Sequence, residues 1–221
     1  MEAARYVAII TDGNGRWARA RGLTANEGHD AGADTVKARL RDAVELGIRE
    51  LTVYSFSTEN WSRPPEEVAG LMAMFSRRIA QETPELHAEG VRMRFIGRRQ
   101  GLPEDLVEQM AWAEALTDAN GRITLFVAFN YGGRAEILDA AARFQEGGEE
   151  EFRAGLYAPE MHDPDLIIRT SGERRLSNYL LWQSAYSELV FRDELWPDFS
   201  RRALEESLAE FAARRRRFGG R

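Results

Sequence analysis

The segment Val7-Ala8-Ile9-Ile10-Thr11-Asp12-Gly13-Asn14-Gly15-Arg16-Trp17 joins a short apolar run to a helix-like stretch through a glycine-rich turn. A strand that ends in such a turn at a helix start aims backbone N–H groups and the positive end of a helix dipole at an anion. The segment therefore reads as a phosphate cradle, with an ordinary tight turn as the alternative. Asp12 places a carboxylate at the lip, where beside phosphates it suits Mg²⁺, and Arg16 adds a fixed positive charge. A calcium loop is excluded, because the fifth position needs an oxygen ligand and holds Arg16.

Outward from this segment, β-rich runs at residues 7–11, 51–56, 92–96, 123–129, 166–168 and 189–191 alternate with helical patterns. That alternation predicts an α/β fold: a mainly parallel sheet flanked by helices. Val36, Leu40, Ala43 and Val44 fall on one helical face, closed by Gly47. Pro64-Pro65 open a helix whose stripe Val68, Leu71, Met72, Phe75 and Ile79 runs toward Pro84. Pro103 and Gly133 open two more, and a last helix is expected from Ser200 into Arg214–Arg217.

With 221 residues and no Pro/Gly/Ser-rich linker, the chain reads as one domain over residues 1–221. The absence of cysteine excludes disulfides, thiolate metal sites and a cysteine nucleophile. A net charge of −6 argues against a general nucleic-acid binder. No apolar run approaches the length of a membrane span and no basic-then-apolar leader is visible, so the expected location is cytoplasmic.

Ligands of open parallel sheets bind beyond the carboxyl ends of the strands. The residues there are polar and specific: 12–17 after the first strand, Ser57-Thr58-Glu59-Asn60-Trp61-Ser62-Arg63 after the second, Asn130-Tyr131-Gly132-Gly133-Arg134 after the fourth. After the fifth, residues 169–178 concentrate guanidinium groups, hydroxyls and a glycine, which suits a second phosphate group.

The motifs DGNGRW, Gly28-His29, YSFSTENWSRP, NYGGR, DPDLIIRTSGERRLSNYLLWQSAYSEL and LWPDF resemble those of the cis-prenyltransferases, the undecaprenyl diphosphate synthase group, over nearly the whole chain. The resemblance implies a six-stranded sheet, an apolar tunnel, a homodimer, and Mg²⁺-dependent addition of isopentenyl diphosphate to an allylic diphosphate. It implies that Asp12 is the Mg²⁺-linked aspartate and that Gly13, Asn14, Gly15, Arg16 and His29 hold the allylic diphosphate. Asn60 and Arg63 match positions near the reacting carbons, with Asn60 carried as catalytic beside Asp12. Arg169, Arg175 and Ser177 match the pocket for the isopentenyl diphosphate head, and Glu188 a second metal-placing carboxylate. Trp17, Ser57, Thr58, Glu59 and Trp61 stand as further substrate-binding candidates, with packing as the alternative role of the two indoles. Arg217 and Gly219 fit a C-terminal Arg-x-Gly element that can reach a neighbouring active site. Leu23-Thr24-Ala25 stands where the family commonly has Leu-Pro-Arg, so an arginine that usually contacts the allylic diphosphate is missing.

That chemistry needs donors aimed at the departing diphosphate and a second grip that holds the acceptor double bond against the allylic carbon. The proton lost afterwards has three candidate acceptors: the diphosphate, Asp12, or a relay through Ser57 and Asn60. Small Ser55, read as facing the same side as Ser57, favours a medium or long polyprenyl product. A non-catalytic partner subunit of the same fold is the alternative function. Arg214–Arg217 leave peripheral membrane contact open.

Overall fold

A computed structural model describes residues 3–214. Six strands form one parallel sheet: β1 (Tyr6–Ile10), β2 (Glu50–Ser57), β3 (Val91–Ile96), β4 (Ile123–Tyr131), β5 (Leu166–Arg169) and β6 (Glu188–Phe191), in the order β3-β4-β2-β1-β5-β6. Every pairing is parallel, which the alternation of strand and helix patterns required.

The helices are α1 (Asn14–Ala20), α2 (Ala25–Glu45), α3 (Pro65–Ala88), α4 (Glu104–Thr117), α5 (Gly133–Ala141), α6 (Glu149–Arg153) and α7 (Arg201–Ala213). A capping box starts α2: Thr24 Oγ1 accepts from the Glu27 N–H, and the Glu27 carboxylate accepts from the Thr24 N–H at 2.8 Å. Pro65 occupies the first turn of α3, where its missing N–H costs nothing. Pro84 does not end this helix, which continues to Ala88. Ala80 and Pro84 are both exposed, so water reaches the carbonyl that the proline leaves without a helical donor. The last helix stops at Ala213, and Arg217 and Gly219 lie outside the described residues.

Both sheet faces are covered. One core, containing Ile9, Leu40, Val53, Phe56, Leu71, Ile79, Phe129, Trp196 and Leu204, gathers residues of α2, α3, α4 and α7. The other, containing Ala8, Ile10, Phe126, Tyr131, Tyr179 and Leu180, lies on the opposite face. Phe126 and Phe129 divide between the two, as their odd spacing in a strand demands. Register irregularities between Tyr54 and Ser57 break the alternation of β2, and Val53 and Phe56 consequently share a core.

β1 stands between β2 and β5, so the chain turns in opposite directions on its two sides. The crevice above that switch point receives the ends of β1, β2 and β5 together.

Candidate active site

Gly13 precedes α1 with φ +117°, a conformation open to glycine, and a Cβ there would meet Leu195 at 2.9 Å. At Gly15, two residues further, a Cβ would meet no protein atom within 4 Å. Packing therefore does not require that glycine, and the bare backbone at a helix N-terminus leaves room for an anion. Both glycines line a cleft of about 740 Å³ with Asp12, Asn14, Arg16, Arg19, His29, Ser57, Glu59, Asn60, Arg63, Arg169, Arg175 and Ser177. Residues from all three strand ends thus meet in one cavity.

Asp12 is its electrostatic pivot. Arg169 Nη2 donates to Asp12 Oδ2 at 3.0 Å and Arg16 Nη2 to Oδ1 at 3.3 Å. Thr170 anchors the aspartate's backbone, its hydroxyl accepting from the Asp12 N–H at 3.1 Å and donating to the Asp12 carbonyl at 2.7 Å. Burial acts to raise the Asp12 pKa. Hydrogen bonds from Arg169 and the Ser171 hydroxyl, with the charges of Arg169 and Arg16, outweigh it and hold the carboxyl below its ordinary value. The group is ionised at neutral pH.

Around this pivot lie two zones. In the first, Arg16 reaches Ser171, whose hydroxyl lies 2.6 Å from Nη2, and Arg19 lines the wall. His29 is nearly buried, with Asn14 Nδ2 3.5 Å from its Nδ1, and Arg63 donates to its Nε2 at 3.3 Å. Burial is the largest influence on His29 and the Arg63 charge adds to it, so its pKa falls although Glu67 pulls the other way. The ring is neutral at neutral pH. In the second zone, Arg169 Nη1 donates to Ser177 Oγ at 2.7 Å, and Arg175, ion-paired with Glu173, is 61% exposed. Ser171, Ser177, Asn178 and Leu180 all adopt positive φ, strain concentrated beside the cleft.

Below the cleft lies a second, apolar cavity of about 100 Å³, walled by Val36, Leu40, Val53, Phe75, Ile79, Leu125 and Val127 among others. Thr11, Asn14, His29 and Ser55 line both spaces, so the polar cleft and the apolar cavity adjoin.

Several expected site residues are placed elsewhere. Trp17 donates its indole N–H to Asp198 at 2.8 Å beneath the guanidinium of Arg21, and does not line the cleft. Trp61 donates to Asn130 Oδ1 at 2.8 Å and packs edge-on against Phe56. Thr58 also stands outside the cleft wall, its hydroxyl turned to Glu59. Glu188 pairs with Leu166, level with Val7 and five residues before Asp12 along β1, and it binds Arg214 at 2.7 Å. It sits at the amino end of the sheet and is not brought to Asp12 within this chain. Sequence reading missed Glu67, Thr170 and Ser171; the last two lay inside a quoted motif, and Glu67 follows Arg63 at the i,i+4 spacing of a helical ion pair.

Residues 10–219 match the family model described as "Putative undecaprenyl diphosphate synthase". The chain belongs to that family. Among its members, isoprenyl transferase 2 of Bradyrhizobium diazoefficiens is 52% identical, covering 99% of this chain and 91% of that protein. The isoprenyl transferase of Thermotoga maritima is 51% identical, covering 100% of this chain and 98% of its own length. In structure, lavandulyl diphosphate synthase from Lavandula x intermedia, solved with dimethylallyl diphosphate, superposes with a TM-score of 0.94 at 34% identity over 98% of each chain. The family is one of prenyltransferase enzymes. Among the described residues no helix is long and apolar enough to cross a membrane.

Proposed function

We propose that this protein condenses isopentenyl diphosphate with an allylic diphosphate to form a cis-polyprenyl diphosphate, with Mg²⁺ as cofactor. The observation that carries this reading is a cleft with two cationic zones on either side of Asp12, adjoining an apolar cavity through shared lining residues. Two charged heads and one growing hydrocarbon tail need that combination.

In this reading the allylic head lies on the N–H groups at Gly13–Arg16, with Arg16, Arg19, His29 and Arg63 around it. The isopentenyl head lies by Arg169, Arg175 and Ser177. Separate grips hold the acceptor double bond against the allylic carbon, and fixed N–H and guanidinium donors stabilise the charge on the departing diphosphate better than water would. Neutral His29 can donate a hydrogen bond to the departing diphosphate without adding charge.

The residues fit one Mg²⁺ held jointly with substrate. Among the described residues no cluster of three potential protein ligands exists, whereas Mg²⁺ is usually bound by one or two carboxylates with substrate phosphates and water. Ionised Asp12, about one-third exposed at the lip of the anion cradle, supplies that carboxylate. When bound, the ion would neutralise charge developing on the diphosphate. A homodimer in the cytoplasm belongs to the same proposal.

Release of inorganic pyrophosphate tests it. Release is expected only when isopentenyl diphosphate, an allylic primer and Mg²⁺ are all present; release from either substrate alone would mark a hydrolase instead.

A further inference from the structure

Helices α2 and α3 form two walls of the apolar cavity, and their solvent side is closed by charge. Arg77 binds Asp30 at 2.8 Å, Arg78 binds Asp30 at 3.1 Å and Asp34 at 2.5 Å, Lys37 pairs with Glu85, and Arg41 binds Glu85 at 2.5 Å and Glu89 at 2.6 Å. These pairs run in step along both helices. Exposed pairs are individually weak, but Arg78 and Lys37 are only 19% and 21% exposed and both line the cavity, Arg78 beside Phe75, Ile79 and Glu82.

All three guanidinium nitrogens of Arg78 are engaged. Nε and Nη2 donate to Asp30 Oδ1, Nη2 also donates to the Asp30 carbonyl at 3.0 Å, and Nη1 donates to Asp34 and, at 2.8 Å, to Glu82. One residue is therefore both a piece of the cavity wall and the staple that fixes α3 to α2. Asp30 follows His29, so the staple also holds the helical turn that carries the cleft histidine.

We propose that Arg78 is a specificity-determining residue that limits product length by fixing the spacing of α2 and α3. This rests on the transferase reading above. The cavity is small, and each added five-carbon unit needs more apolar room. Close-packed walls do not yield by small amounts, so further growth requires the α2–α3 seam to part. Arg78 and its carboxylates oppose that parting, and elongation stops when the seam no longer gives way. Neither Asp30 nor Asp34 lines the cavity, so the staple can be cut without altering the wall.

The test sizes the products of the wild type, Arg78→Met, and the double variant Asp30→Asn/Asp34→Asn, with circular dichroism and melting curves to confirm folding. Methionine keeps an apolar stem without the guanidinium; the asparagines leave Arg78 in place without its anionic partners. Both variants are expected to shift the main product upward by at least one isoprene unit, and about 1 M sodium chloride is expected to move the wild type the same way. An unchanged or shortened distribution in both variants overturns the proposal.

The spacing can also be read without turnover. The chain lacks cysteine, so nitroxide labels at Ala38→Cys and Gln81→Cys report on α2 and α3 alone. The distance distribution is expected to lengthen and broaden when Arg78→Met is added, and an unchanged one overturns the staple. A wild type that forms no prenyl product with any primer overturns the transferase reading, while the spin-label result still decides the staple.

Discussion

The carboxylate of Asp12 and the guanidinium of Arg169 lie 3.0 Å apart although 157 residues separate them in the chain. Adjacent parallel strands bring them together: Ile10 pairs with Arg169, so the residues that follow β1 face the end of β5. Through Ser177 the same arginine reaches the second cationic zone. Asp12 and Arg169 thus join the two halves of the cleft.

Removing the aspartate should damage chemistry more than folding. Asp12→Ala is expected to lower turnover by about a hundredfold or more, because a group stabilising the transition state is lost. Exposed Arg175→Ala should chiefly raise the KM for isopentenyl diphosphate. Steady-state kinetics at saturating Mg²⁺ check both, with circular dichroism confirming the fold.

Ala25 opens a route to tighter primer binding. It is the first residue of α2 and stands four residues before His29, hence on the same helical face. Arg21 does not serve in its place, being held by Asp198, while Arg19 lines the cleft. A charge-assisted hydrogen bond contributes about 1.5–3 kcal/mol. Ala25→Arg should therefore lower the KM for geranyl or farnesyl diphosphate roughly tenfold or more, and Arg19→Ala should raise it.

His29 gives stability a pH dependence. Burial, aided by the Arg63 charge, depresses its folded pKa below the ordinary value of 6.5. Below that pH the unfolded chain binds the proton more readily, so this contribution is complete above about pH 6.5 and is lost as pH falls through the folded pKa. His29→Gln should flatten the fall in urea midpoint between about pH 7.5 and 5.

Glu136 supports the strained loop from behind. Buried beneath it, the carboxylate accepts from the Tyr131 hydroxyl, from Gln183 at 3.1 Å and from the Tyr157 N–H at 3.1 Å. Glu136→Ala strands three donors and should cost about 3 kcal/mol or more, seen as a lower denaturation midpoint.

The architecture was legible because each strand carries a short β-rich run and each helix a 3.6-residue stripe, and because glycine and charge gather where strands end. Asp12, Arg16, Arg169 and Ser177 could be read from those junctions. Trp17 and Trp61 could not be excluded, since a motif does not say which way a ring turns; packing sends both away from the cleft. Glu188 misleads for a related reason, as its place at the start of β6 puts it at the far end of the sheet. Pro84 reads as a helix stop only if the freed carbonyl is assumed to be buried. The α2–α3 staple was invisible because Asp30, Asp34 and Arg78 look like ordinary surface charges until two helices lie side by side.

The proposed reaction needs two diphosphates held at once in one cleft. Its most direct test incubates the protein with radiolabelled isopentenyl diphosphate, an allylic primer and Mg²⁺, then sizes the lipid-extractable product after removal of phosphate. Labelled prenyl chains at least one five-carbon unit longer than the primer are expected, with label incorporation abolished or reduced about a hundredfold by Asp12→Ala. A folded wild type that leaves all label in unreacted isopentenyl diphosphate, with primers from dimethylallyl to farnesyl diphosphate, would contradict it.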